Sequence, residues 1–176
     1  MANTTWVLDP AHSELQFKVK HLMITTVTGS LKSLTGSVNS SSDDFENAEV
    51  KFEAETGSID TGNTDRDNHL KSADFFDADQ FPKITFISAS LAKDGSDYSL
   101  KGDLIIKDIT KPVKINVEFG GIATDPWGNT KAGFTISGKI NRTDFGLSWN
   151  AALETGGVMV SEEVKILGEL QFVKQA

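Results

Sequence analysis

Residues 98–119 read YSLKGDLIIKDITKPVKINVEF, and this stretch decides the fold class. Apolar residues recur at alternate positions from Tyr98 to Ile106 and again from Val113 to Phe119, with lysines and acids between them. A period of two places apolar side chains on one face of an extended strand and charged side chains on the other. Residues 108–112 have turn composition, so the stretch predicts an antiparallel β-hairpin with one face in contact with solvent.

The same alternation continues on both sides of this hairpin. Glycines at 102, 138 and 168 fall on the apolar faces, which favours a bent, closing sheet. Turn signals at 93–97 and 125–129 are spaced for consecutive hairpins, so we expect an up-and-down strand order. The other alternating sets are Leu15, Phe17 and Val19; Val50, Phe52 and Ala54; Phe134, Ile136 and Ile140; and Val164, Ile166, Leu170 and Phe172.

One segment, residues 63–76 (NTDRDNHLKSADFF), has no alternation. Asn63 or Thr64 is a suitable N-cap, and Asp65 and Asp67 fall in the first turn, where acids are favourable. We predict a short helix of about two to three turns here. The whole chain, residues 1–176, is then a single all-β domain with one short helix. About eight antiparallel strands predict an up-and-down barrel, whose interior is either filled or wide enough for one slim ligand.

Composition excludes several classes of function. Among 176 residues, 25 acids outnumber 17 bases, and the lysines are scattered, so binding of nucleic acid through charge is disfavoured. Cysteine is absent, which excludes disulfides, thiolate nucleophiles and zinc–cysteine sites. No apolar run is long enough for a transmembrane helix. The N-terminus lacks the basic and apolar regions of a signal peptide, so we expect a cytoplasmic location, or a periplasmic one if a signal has been removed.

Catalytic and metal-binding signatures are weak. His12 and Ser13 are neighbours on a strand and point to opposite faces, and the sequence has no G-x-S-x-G, phosphate-loop or G-x-G-x-x-G motif. Asp65 and His69 are four apart and meet on a helix, but Asp67 faces elsewhere. A capped helix with a solvated acidic face accounts for these residues better than a metal site. We therefore predict no catalytic residue, no metal and no cofactor.

The two arginines are conspicuous because every other basic residue except histidine is lysine. Arg66 lies beside Asp65 and Asp67, and Arg142 lies near Asp144. The guanidinium is a rigid bidentate fork that lysine lacks. The preferred interpretation is an ion-pair staple at the helix and at a barrel rim. The alternative is contact with the polar headgroup of a ligand.

A series of short motifs, in this order, resembles the YceI-like family from about Trp6 to Phe172. The lipocalin G-x-W signature is missing, since Trp6 follows two threonines. The motifs are 9–13 (DPAHS), 19–22 (VKHL), 65–70 (DRDNHL), 75–77 (FFD), 81–86 (FPKITF), 102–104 (GDL), 109–113 (ITKPV), 133–134 (GF) and 142–146 (RTDFG).

This resemblance implies a lipocalin-like antiparallel barrel with a long apolar pore that binds a polyisoprenoid. It implies a non-enzymatic carrier of a polyprenyl chain, a quinone tail or a similar apolar lipid, with no catalytic residue. Many family members carry a signal peptide, from which this sequence departs. The bound lipid is the expected ligand and partner, and a homodimer that covers an apolar mouth stays an open alternative.

Combining the inward-facing sets with this resemblance gives a list of expected ligand-binding residues. The pore wall is expected to comprise Phe17, Val19, Phe52, Phe86, Leu104, Ile106, Ile115, Val117, Phe134 and Ile136. The mouth is expected to comprise Leu22, Met23, Leu70, Phe75, Phe76 and Trp149, and His21 is a further expected ligand-binding residue.

Two other functions remain open at this point. A barrel with a filled core would be a structural or partner-binding module, and its sequence would show the same alternation as a barrel with a lined cavity. An enzyme acting on a lipid headgroup would use His21 or His69 as its acid or base.

Overall fold

The computed structural model describes residues 4–22, 24–41, 45–147 and 160–175. Within them the chain forms strands and one α-helix, α1 (Thr64–Lys71). Among these residues no helix has the length and apolar character needed to cross a membrane. The strands are β1 (Thr4–Leu8), β2 (Glu14–His21), β3 (Thr25–Leu31), β4 (Leu34–Ser40), β5 (Glu49–Glu55), β6 (Ile59–Asp60), β7 (Lys83–Asp94), β8 (Asp97–Ile106), β9 (Ile109–Thr124), β10 (Thr130–Asn141) and β11 (Glu163–Lys174).

The strands close into an antiparallel barrel. From β7 to β11 each strand pairs with the next along the chain, and β1 closes the ring by pairing with both β4 and β11. Three of the barrel's strands are bent, and each is counted as two elements: β1 with β2, β3 with β4, and β5 with β6. Counted in this way, the described strands form an eight-stranded barrel with one helix, which confirms the predicted fold class.

The first bend matters most because it separates the two ends of the barrel. A 3₁₀ turn at Pro10–His12 interrupts the strand, and the Asp9 side chain caps it by accepting a hydrogen bond from the backbone N–H of Ala11. Before the bend, β1 pairs with the last residues of β11; after it, β2 pairs with residues 165–169 of the same strand. One strand thus contributes to both ends.

The turns follow local chemistry, with one correction to the prediction. At 125–129 the Asp125 carboxylate accepts hydrogen bonds from the backbone N–H groups of Trp127 and Asn129. The turn predicted at 108–112 is shorter and lies earlier: Lys107 and Asp108 form it, with φ of +52° and +60°, and residues 109–112 already belong to β9. Two consecutive positive φ angles are typical of the tight type I′ hairpin, and glycine, its usual residue, is absent here.

Helix α1 is confirmed as predicted at its start and is shorter at its end. Asn63 is the N-cap, and its Oδ1 accepts a hydrogen bond 3.0 Å from the Arg66 backbone N. Residues 72–76 form turns instead of a third helical turn, and Phe75 is buried against the barrel. The helix therefore serves as a short cover that carries apolar residues to one end of the barrel.

Candidate functional site

The barrel interior contains a cavity of about 310 Å³. Aliphatic and phenylalanine side chains from β2, β5, β7, β8, β9, β10 and β11 form most of its wall. Twelve of the predicted ligand-binding residues line it: Phe17, Val19, His21, Phe52, Leu70, Phe75, Phe76, Phe86, Leu104, Ile106, Ile115 and Ile136. Their role in binding a ligand stays a prediction.

The far end of the cavity is closed by an aromatic plug, formed by Trp6, Phe45, Tyr98, Phe119 and Phe134. Phe45 is its centre: the residue has no exposed surface, and its ring lies 5.3 Å from Trp6, 5.6 Å from Phe119 and 5.1 Å from Phe134. Its backbone N also donates to the Tyr98 hydroxyl, at 3.3 Å. Edge-to-face rings at these separations are a favourable arrangement.

Two predicted wall residues lie in this closed end instead of the cavity wall. Phe134 belongs to the plug, and Val117 is buried beside it at 6% exposure. Both have the alternation of wall residues, but the Phe134 ring packs against Phe45, at 5.1 Å, and Val117 is the strand partner of Tyr98 in the plug. Leu22, predicted at the mouth, is 38% exposed and does not line the cavity, because its φ of +53° places it in the turn after β2. Met23 and Trp149 lie outside the described residues.

The opposite end is the mouth. Leu70 from α1 and Phe75 and Phe76 from the following turns cover it on one side. His69 lies here too: its Nε2 is 2.9 Å from an Asp74 carboxylate oxygen, and its ring meets the edge of Phe75 at 5.1 Å. On the other side, His21 forms an isolated antiparallel bridge with Val160.

Arg142 holds this second side together. Its Nε donates to the Ser161 carbonyl at 2.8 Å, one terminal nitrogen donates to the Val160 carbonyl at 3.2 Å, and the other donates to the Leu147 carbonyl. The residue is only 3% exposed. Burial lowers the pKa of its guanidinium, and the charge of Glu162 partly opposes that effect. A buried guanidinium is stabilised chiefly by such charge-assisted hydrogen bonds.

The arginines differ from their predicted role. Within the described residues neither fork pairs with the acids beside it in sequence: Arg66 donates to the hydroxyl and carbonyl oxygens of Thr61, at 2.7 and 2.8 Å. The Asp67 carboxylate accepts from the Thr61 hydroxyl and backbone N–H instead. The described partners of both forks are hydroxyl and carbonyl oxygens, so the predicted pairing of Arg66 with Asp65 or Asp67 and of Arg142 with Asp144 is wrong.

A second depression lies on the outer side of α1 and has a volume of about 560 Å³. Charged and polar residues such as Glu55, Asn68 and Lys83 line much of it, and it opens widely to solvent. Binding sites for small molecules are usually enclosed and mainly apolar, with few polar groups. The barrel cavity fits that description and is the candidate site. No group of three or more metal-ligating side chains occurs within the described ranges.

The family model of the YceI-like domain matches residues 6–172. The chain belongs to the YceI-like family. Two relatives, the UPF0312 proteins of Staphylococcus aureus strains MSSA476 and RF122, are each 41% identical to it over 170 residues, which cover 96% of this chain and 97% of each relative.

Solved structures resemble this YceI-like chain over most of its length. The Campylobacter jejuni YceI protein superposes with a TM-score of 0.74 at 29% identity, covering 89% of this chain and 90% of that one. Burkholderia cenocepacia BcnA gives 0.80 at 22% identity, covering 93% and 98%. A polyisoprenoid-binding domain of Saccharophagus degradans, implicated in plant cell wall breakdown, gives 0.65 at 16% identity, covering 97% and 98%. At 22% and 16% identity the likeness shows the shared fold alone.

Sequence reasoning missed part of the lining of this YceI-like barrel. Leu15, Val50, Leu100 and Ile166 lie on the apolar faces that the alternation identifies, and that pattern was sufficient to include them. Arg142 and Arg66 carried a signal too, since they are the rare fork-bearing residues, and both line the cavity at its mouth.

Proposed function

We propose that this chain is a non-enzymatic binding protein that holds the hydrocarbon tail of a long apolar lipid, of the polyisoprenoid or quinone type, in its barrel cavity. The observation that carries the proposal is an apolar cavity that an aromatic plug closes at one end and that has a mouth at the other. The bound lipid is the only ligand proposed; no cofactor and no catalytic residue is invoked.

The energetics of burial support this function. An isoprenoid tail has almost nothing to hydrogen-bond, so its site needs apolar surface more than specific polar contacts. Burying about 300 Å² of apolar area, at about 25 cal/mol per Å², contributes about 7.5 kcal/mol before ordering costs. Specificity then follows from the length and width of the cavity.

Family membership supports it as well. The Saccharophagus degradans domain, described as polyisoprenoid-binding, has the same fold. The cavity weighs against the filled-barrel alternative, because the described side chains leave about 310 Å³ of the barrel interior unfilled.

The test is lipid retention. Protein purified without detergent is analysed by native mass spectrometry and then by solvent extraction; farnesol and a quinone with a prenyl tail are added to any protein that is found empty. We expect a retained lipid mass, or binding of an added prenyl lipid. Absence of both would overturn the proposal.

Matched variants localise the binding. Ile115→Trp fills the cavity from a buried wall position, whereas Ile87→Trp places the same new ring on the outer face, where Ile87 is 47% exposed. We expect Ile115→Trp to lose lipid while keeping the circular dichroism of a β-protein, and Ile87→Trp to retain lipid like the unchanged protein. Leu104→Trp is a second filling variant. Lipid retention by both filling variants, each shown to be folded, would contradict the proposed cavity.

A further inference from the structure

The charged residues that line the cavity have one sign. Lys20, Arg66 and Arg142 line it beside the histidines His21 and His69, and no aspartate or glutamate within the described ranges does. The chain as a whole is acidic, with 25 acids against 17 bases. An apolar tail does not need charged residues at its binding site. The basic residues of the lining therefore require an explanation other than binding of the tail.

Arg66 is held in place with donors to spare. Its Nε donates to the Thr61 hydroxyl and one terminal nitrogen donates to the Thr61 carbonyl, at 2.7 and 2.8 Å. The Thr61 hydroxyl in turn donates to Asp67 at 2.6 Å. The other terminal nitrogen of Arg66 has no protein partner in the described part of the chain. Asp67 therefore orients the guanidinium through Thr61 without neutralising it by direct contact.

The bases form two groups that share one cavity. Arg66 and His69 are three residues apart on α1, so they project from the same side of the helix. His21 and Arg142 meet at Val160, which bridges to His21 and accepts a hydrogen bond from Arg142 at 3.2 Å. The guanidinium of Arg142 is buried, and low local dielectric strengthens the field of its charge.

Two of the described acids lie near these basic residues. Asp74 contacts His69 at 2.9 Å, and Glu162 acts on Arg142 from a distance. Neither acid lines the cavity. Within the described residues, the lining of the cavity therefore combines basic and apolar side chains.

We propose that the mouth binds an oxyanion headgroup, phosphate or carboxylate, of the lipid whose tail occupies the cavity. This inference rests on the proposed function and names the class of lipid. The remaining terminal nitrogen of Arg66 can donate a charge-assisted hydrogen bond to either oxyanion. A neutral alcohol or quinone headgroup lacks the negative charge that the guanidinium groups of Arg66 and Arg142 attract.

The test compares headgroups on one tail. Farnesyl monophosphate, farnesoic acid and farnesol are titrated into the full chain at pH 7 by calorimetry. We expect one or both anions to bind at least about tenfold more tightly than farnesol, as a charge-assisted hydrogen bond predicts. The better of the two identifies phosphate or carboxylate as the source. Higher salt weakens the preference, since the exposed Arg66 is screened.

Variants assign the preference to the mouth. Arg66→Gln should reduce anion affinity about tenfold and leave farnesol affinity unchanged. Lys101→Gln removes the same charge from the outer face of β8, where Lys101 is exposed, and should change neither affinity. An equal loss in both variants would overturn the assignment to the mouth.

The experiments separate failure of the headgroup proposal from failure of the lipid-binding function. Equal binding of all three lipids would overturn the headgroup proposal and leave the lipid-binding function standing. If none of the three lipids bound to the unchanged protein or to Arg66→Gln, and the protein purified without detergent held no lipid, the headgroup proposal and the lipid-binding function would both be overturned.

Discussion

The two ends of the barrel are built from the same strands and hold their contents in different ways. At the closed end, aromatic rings 5.1 to 5.6 Å from Phe45 fill the interior. At the open end, β-branched and leucine side chains with a few phenylalanines surround a cavity of about 310 Å³. Strand alternation determines which side chains point inward. The size of those side chains, and the position of Phe45 outside a regular strand, determine whether they fill the interior or leave a cavity.

The largest expected effect contrasts one phenylalanine from each end. Phe45→Ala removes the centre of the plug, and a buried Phe→Ala change costs about 3–5 kcal/mol of unfolding free energy. Phe52→Ala at the cavity wall should cost about half as much, since the cavity already deprives its ring of contacts on one side. Urea unfolding measures both free energies.

Ligand binding provides the second measurement for this pair. Phe45→Ala should lengthen the accessible cavity, so the variant should accept prenyl tails longer than those the unchanged protein retains. Equal destabilisation by the two substitutions, with no change in tail length, would break the distinction between a filled end and an open end.

Hydrogen bonds of Arg142 stabilise the rim of the open end, whereas ring packing stabilises the plug at the closed end. Arg142→Lys keeps the charge and loses the fork that joins the carbonyls of Leu147, Val160 and Ser161. We expect a loss of about 1.5–3 kcal/mol, the range for hydrogen bonds to charged groups. Arg66→Lys, at an exposed position, should cost about 0.5 kcal/mol or less.

Hydrogen exchange separates local from global effects in the Arg142→Lys variant. The amide of Ser161, which donates to Lys20, should exchange faster, while amides of the plug, such as that of Phe45, keep their relative protection. Uniform acceleration at both ends would show that the barrel opens as one unit.

Much of this fold could be predicted because each element has a local cause. Alternation assigned the inward faces of β8 and β9 correctly, and the Asn63 cap located the start of α1. The plug could not be predicted, because Phe134 in the plug and Phe86 in the cavity wall have the same pattern. Only the position of Phe45, which reaches the interior from outside a regular strand, distinguishes them.

The polar part of the mouth was only half predictable for a related reason. Sequence neighbours suggested that Arg66 and Arg142 pair with adjacent acids. In the structure, partners distant along the chain compete successfully: Arg142 binds carbonyls up to 19 residues away. The residues adjacent to an arginine in the sequence therefore do not predict which oxygen atoms the fold places next to its guanidinium.

Gly29 leaves room for the Phe17 ring at the cavity wall, and substituting this glycine should have an effect of intermediate size on stability. A Cβ on Gly29 would overlap the Cζ atom of Phe17, so the ring now occupies the space above the glycine. Gly29→Val should push the ring into the cavity, cost about 1–3 kcal/mol through overpacking, and reduce lipid retention.

Gly133→Val is the matched control for this substitution. Gly133 lies in β10, and no heavy atom would lie within 4 Å of a Cβ added there, so stability should change by about 0.5 kcal/mol or less. Normal lipid retention by Gly29→Val would mean that the ring finds space away from the cavity.

The smallest effect concerns the bend that joins the two ends. The Asp9 carboxylate lies 2.8 Å from His12 Nδ1, and it accepts hydrogen bonds from the Ala11 backbone N at 3.1 Å and from Lys131 Nζ at 3.1 Å. The hydrogen bond with His12 is the largest cause that lowers the pKa of Asp9, and the contacts with Lys131 and Ala11 lower it further against the opposing effect of burial. A lowered pKa means that the folded state favours the ionised carboxylate.

The sign of the pH dependence follows from this direction. Because the pKa is lower in the folded protein than in the unfolded chain, the stabilisation is complete above the unfolded value of about 3.9 and is lost as the pH falls through the folded value. Asp9→Asn should therefore cost about 1 kcal/mol near pH 7, and its difference from the unchanged protein should shrink below about pH 4. Asp103→Asn, at an exposed position on β8, provides the same charge change without these contacts. A cost for Asp9→Asn that is constant from pH 7 to about pH 3 would mean that shape, and not ionisation, holds the bend between the filled end and the open end.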